Sequence, residues 1–142
     1  MSASKSFFDE VRTAFAATAA ELELTGPEES NQIMPHSIYR GSGVEYRVGL
    51  DFESGGYVEI TAKIEMDSVR LRAEVEPLAI AAGIVEKRGG VSSSARNQKQ
   101  MRKSLVGQVD YLRRVHPFLA DPATAEDVMR RAGARETEKR KP

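Results

Sequence analysis

The sequence has no cysteine and no tryptophan. Without thiols there is no disulfide framework, no thiolate nucleophile and no zinc ribbon, which fits a reducing compartment. Histidine is scarce too. His36 and His116 stand alone, neither within a metal-ligand spacing, so histidine catalysis and metal binding have almost nothing to work with. No apolar run approaches the ~20 residues that a membrane-spanning helix needs. The first thirty residues hold no basic head followed by an apolar stretch, so no signal peptide is expected. Nucleotide motifs are missing as well. The Gly-x-Gly of Arg40–Tyr46 precedes a strand pattern and lacks its third glycine, and no Gly-x-x-x-x-Gly-Lys-Ser/Thr occurs. No repeat of fixed period is visible. These absences point to a cytoplasmic chain with no membrane partner, no metal, no cofactor and no catalytic residue.

Net charge is also absent, with 21 basic and 21 acidic residues, but the balance conceals a division. Residues 1–76 carry 7 Lys/Arg against 14 Asp/Glu, and residues 77–142 carry 14 against 7. Such asymmetry marks a nucleic-acid surface, a self-complementary interface, or charges that neutralise each other within one fold.

What remains is a pattern of elements. Ser6-Phe-Phe-Asp9 reads as a capping box, and Phe8, Val11, Phe15, Ala19 and Leu22 behind it form the apolar stripe of a helix. Thr25-Gly26-Pro27 ends that helix, and the following PEESNQ reads as a polar connector. IMPHSIYR is a weak strand, placed at an edge because Pro35 cannot donate to a ladder. GVEYRVGLDF and YVEITAKIEM alternate cleanly, and their apolar sets share a face if Phe52 opposes Val58. VRLRAEV supplies another strand, and a turn at Asp67-Ser68 sets Glu65 opposite Arg70. Clean alternation implies an antiparallel sheet with one wet face and one face under helices.

Pro77 opens a short helix that Gly83 stops. Met101, Leu105, Val109, Leu112 and His116 mark a second long amphipathic helix, with Pro117 ending it near Val115. His116, at the negative end of that helix, is favoured when protonated. Asp121-Pro122, or Thr124 to Asp127, begins a last helix closed by Gly133. The predicted fold is α+β: an N-terminal helix, an antiparallel three- to four-stranded meander, a short helix, then C-terminal helices packed on one face of the sheet. Residues 1–133 form one domain, and 134–142 read as a disordered charged tail.

Two clusters carry candidate chemistry. Glu45, Asp51, Glu59, Glu65, Glu74 and Glu76 share the polar sheet face, where they alternate with Arg47, Lys63, Arg70 and Arg72 in the manner of a solvated surface. The stretch from Lys87 to Val109 holds six basic residues and no acidic one. A Gly/Ser loop entering a helix exposes backbone N–H groups that attract anions. Lys87, Arg88, Ser93, Ser94, Arg96, Lys99, Arg102 and Lys103 would be the contacts, with Arg102 somewhat off the Arg96/Lys99/Lys103 face. Phe and Tyr are absent from Gly83 to Asp110, so the stretch has no stacking platform for single strands.

The order of elements, together with YLRRVHPFLADPATAEDVMRR (Tyr111 to Arg131), resembles small bacterial immunity proteins and uncharacterised bacterial α+β proteins. The layout is also similar to type III secretion chaperone-like domains, from which the basic C-terminal half departs. The resemblance transfers no functional residue. It implies a class of proteins that bind another protein, often as dimers, without catalysis. The expected function is therefore a non-enzymatic protein-binding module whose partner is another protein or a second copy of itself. Phosphate or nucleic-acid binding through residues 87–103 is the alternative.

Overall fold

The structure, a computed structural model, describes residues 3–51, 56–87 and 89–139. Helix α1 (Ala3–Glu21) is followed by five consecutive strands: β1 (Thr25–Ser30), β2 (His36–Gly41), β3 (Val44–Asp51), β4 (Tyr57–Glu65) and β5 (Val69–Glu74). Helices α2 (Val75–Ala81), α3 (Gln98–Ala120) and α4 (Pro122–Arg131) come next, and β6 (Arg135–Glu138) closes the chain. The strands form one six-stranded antiparallel sheet in the order β1-β2-β3-β4-β5-β6. The fold is α+β, as the patterning predicts, with a larger sheet than the sequence shows.

Both additional strands lie at the edges. Thr25–Ser30, read from sequence as a connector, pairs with β2 through an irregular register between Thr25 and Glu28. Gly26 adopts φ 124°, and a Cβ there would stand 2.6 Å from the Ile38 carbonyl, so only glycine fits the bulge. With β1 outside it, β2 is an interior strand, and Pro35 precedes it without entering it. Residues 135–138, read as part of a disordered tail, pair with β5, and Lys139 N–H donates to the Ser68 carbonyl at 3.0 Å. Residues 140–142 lie outside the described residues.

Val44, Tyr46, Val48 and Leu50 of β3 and Val58, Ile60, Ala62 and Ile64 of β4 all point inward and are buried. Leu50 opposes Val58, two residues from the predicted Phe52–Val58 register. A slip of two preserves parity, so the apolar sets still share a face. Phe52 and the turn after it lie outside the described residues. Glu65 opposes Arg70 as expected.

The inner face is covered by α1 and α3. Helix α1 starts before Ser6, and its buried stripe is Phe7, Val11, Phe15 and Thr18, rotated from the Phe8 reading. Phe15 stacks on Tyr39 at 4.2 Å and 5°. Helix α3 buries Met101, Leu105, Val109, Leu112 and Val115 and continues through Pro117 to Ala120. It does not stop near Val115, because Leu119 and His116 hold its last turns in the core. His116 is therefore no helix-end cation. It is 5% exposed, its Nδ1 shares a hydrogen bond with the Tyr46 hydroxyl at 2.6 Å, and burial lowers its pKa from the ordinary 6.5. Asp121 caps α4, accepting from Ala123 N–H, with Pro122 in the first turn.

Beyond Glu74, β5 leaves β4 to become α2, which exposes the β4 backbone at Val58 and Ile60. Gln108 of α3 fills that place. Its Oε1 accepts from Ile60 N–H at 2.9 Å, and its Nε2 donates to the Val58 carbonyl at 3.0 Å and to Ser104 Oγ at 2.9 Å. Further along the same side, Val58 N–H donates to the Ser93 carbonyl and Ala95 N–H to the Gly56 carbonyl, both at 2.9 Å. One side-chain amide and a short loop thus complete the ladder where the strand departs.

Candidate functional site

Members of the basic stretch have different surroundings. Arg88 lies outside the described residues. Arg102 is drawn across to α1, where Nε and Nη2 donate to Glu10 at 2.9 and 3.0 Å. That contact, opposed by burial, lowers the Glu10 carboxyl below its ordinary value. Ser93 gives its backbone to β4, and Ser94 Oγ donates to Gln100 at 2.9 Å. The α3 cap is Asn97, which accepts from Gln100 N–H, while Gln100 Oε1 accepts from Arg96 N–H. Arg96 precedes the helix, so only Lys99 and Lys103 share a helical face. Lys87, Arg96, Lys99 and Lys103 are exposed, and none makes an ion pair among the described residues.

The outer face of the sheet gathers chemistry that the sequence shows only in part. No helix covers it. Alternation places Arg40, Glu45, Lys63, Arg72 and Arg135 abreast across five strands, because each is the registered partner of the next. The first three neutralise one another: Glu45 meets Arg40 at 3.0 Å and Lys63 at 3.2 Å. Glu65 is likewise occupied by Lys63, Arg70 and Lys139. Arg72 and Arg135 are different. They oppose each other directly, and neither makes an ion pair among the described residues.

A like-charged pair of the other sign lies beside them. Glu74 opposes Thr61, one step diagonally from Glu59 on the same face. The two carboxyls hydrogen-bond to each other instead of meeting a cation. That bond, burial, and the negative charge of Glu74 and Asp51 push the Glu59 carboxyl from 4.5 up to about 7. Near neutral pH Glu59 is therefore only partly ionised.

Three hollows follow this pattern. A cleft of about 240 Å³ runs from Met34, Pro35 and His36 past Arg47, Tyr57 and Glu59 to Arg72. A wider one of about 460 Å³ joins Glu59 and Glu74 to Arg72 and Arg135. A small one of about 120 Å³ is lined by Lys63, Arg70, Arg72, Arg135 and Thr137. Beside the first, the β1–β2 turn presents Ile33, 101% exposed with φ 66°. A β-branched residue in the left-handed region is a strained outlier, and such strain persists mostly where function uses it.

Among the described residues, no group of three or more His, Cys, Asp or Glu is arranged to hold a metal ion, and no helix is long and apolar enough to cross a membrane. Most of the carboxylate face was legible from sequence, although Glu76 belongs to α2 and not to the sheet, and the division into satisfied and unsatisfied charges required the strand register. Arg135 and Ile33 carried no sequence signal of a site. Comparison with protein-family models, curated proteins and solved structures found no match to the chain.

Proposed function

We propose that the chain is a protein-binding module whose docking surface is the uncovered outer face of the sheet, with Ile33 as its apolar anchor. The observation that carries this reading is the strained, fully exposed Ile33, which precedes Met34 at one end of a cleft that also includes Arg72. The occupant is an extended segment of another protein, with an apolar side chain for Ile33 and Met34 and an anionic group for Arg72 and Arg135. Four strand spacings separate β2 from β6, about 19 Å, which roughly six extended residues span.

The test is capture from the source organism with the wild-type chain, Ile33→Asp and Arg72→Glu in parallel. Asp tolerates the left-handed region, and Arg72 is exposed, so both variants keep the fold. A protein retained by the wild type and lost by both variants supports the reading. An identical set on all three baits overturns it. If the mass in sedimentation instead doubles with concentration and Ile33→Asp abolishes the doubling, the occupant is a second copy.

The alternative, phosphate or nucleic-acid binding through residues 87–103, draws support from the exposed Lys87, Arg96, Lys99 and Lys103. The engagement of Arg102 by Glu10 and the self-capped start of α3 remove part of what that reading needs.

A further inference from the structure

Arg72 and Arg135 face each other across neighbouring strands, with Lys63 as the next residue in the same row. Like charges in directly opposed positions are destabilising. Elsewhere on this face the cost is removed by carboxylates, but among the described residues no ion pair reaches these two. Glu45 and Glu65 are occupied by other cations, and Glu59 and Glu74 are bonded to each other. The two guanidinium groups line a hollow of about 120 Å³ with Lys63, Arg70 and the exposed Thr137.

We infer that Arg72, Arg135 and Thr137 form a subsite for a single doubly charged oxyanion, a phosphate monoester. Two guanidinium forks and a hydroxyl present more donors than the two oxygens of a carboxylate can accept, whereas three phosphate oxygens can use them. Two facing cations match two negative charges. The same surroundings disfavour an extended nucleic-acid backbone, because Glu59 and Glu74 share the neighbouring hollow with Arg72 and Arg135 and Glu74 would repel a further phosphate there. The inference rests on the docking reading for its occupant, the phosphate being carried by the partner segment, and on the strand register for the subsite itself.

The experiment follows the arginine Nε–Hε correlations by NMR while inorganic phosphate, a phosphoserine peptide, and acetate are added in turn. The full chain is compared with Arg72→Gln, Arg135→Gln and the Lys99→Ala/Lys103→Ala double variant. The expected result is saturable shifts with phosphate, weakened about tenfold or more by either arginine substitution and unchanged by the lysine substitutions. A phosphopeptide binding more tightly than inorganic phosphate supports the partner-borne source. Equal binding keeps the subsite and overturns that source in favour of a free phosphate ligand. No response of the wild type to phosphate, or an equal response to acetate, overturns the subsite. Capture dependent on Ile33 would then still hold the docking reading, so the two fail separately.

Discussion

Val58 and Ile60 of β4 turn their backbone groups to Gln108 on the inner side of the fold, while Glu59 between them points outward to Glu74. Within two residues the strand shows both ways of treating a polar group. Gln108 is 8% exposed, and both ends of its amide are hydrogen-bonded. Glu59 is half-buried and meets a second carboxyl. Arg102 and Arg72 repeat the contrast, the first clasped by Glu10 and the second facing another arginine. Gln108 and Arg102 are given partners by the packed side of the fold, although the buried Ser37 hydroxyl and one Glu76 oxygen are not. On the outer face like is left with like at Glu59/Glu74 and at Arg72/Arg135.

The sharpest way to break this contrast is Gln108→Leu. Leucine fits the space but orphans Ile60 N–H and the Val58 carbonyl, and the expected loss is about 2–5 kcal/mol in urea unfolding. Phosphate binding by the folded fraction should not change. Tyr46→Phe should cost about 1–2 kcal/mol, since it leaves the buried His116 Nδ1 without its partner.

The outer carboxyl pair should respond to pH. The folded pKa of Glu59 is raised, so its favourable contribution is complete below about 4.5 and lost as pH rises through about 7. Glu59→Gln should therefore raise the melting temperature at pH 8 by roughly 3 °C and change little at pH 5. The lowered pKa of His116 acts in the opposite sense, removing stability as pH falls below 6.5. Between about pH 4.5 and 6.5 the two slopes oppose each other, so melting temperature should vary less with pH in the wild type than in Glu59→Gln. Arg72→Gln should leave stability unchanged or raise it by up to about 0.5 kcal/mol, because it relieves a like-charge pair. Lys99→Ala/Lys103→Ala should have the smallest effect, below about 0.5 kcal/mol.

The central sheet was legible because β3, β4 and β5 each bury one side, and burial writes a period of two into the residues. Strands β1 and β6 carry no such signature. TGPEES and RETE are almost wholly exposed, and what makes them strands is pairing with a neighbour, which no local window contains. The passage of α3 through Pro117 was hidden for a related reason, since the burial of Leu119 outweighs a local backbone preference. The site was half visible. Glu59 and Glu74 fell on the predicted polar face, yet only register shows that Lys63 sits opposite Arg72 and leaves the carboxyls to each other. Arg72 and Arg135 are joined solely by the return of the chain after three helices.

The two edge strands have a consequence for life at high concentration. A sheet whose outermost strand is long, flat and apolar invites the same strand of another molecule to add to it, the first step towards a fibril. Here one margin is bent by a bulge and carries Pro27, which has no N–H to offer. The other is four residues long and fully exposed, with Arg135, Glu136 and Glu138 along it. Both margins, as described, carry features that disfavour the addition of another strand.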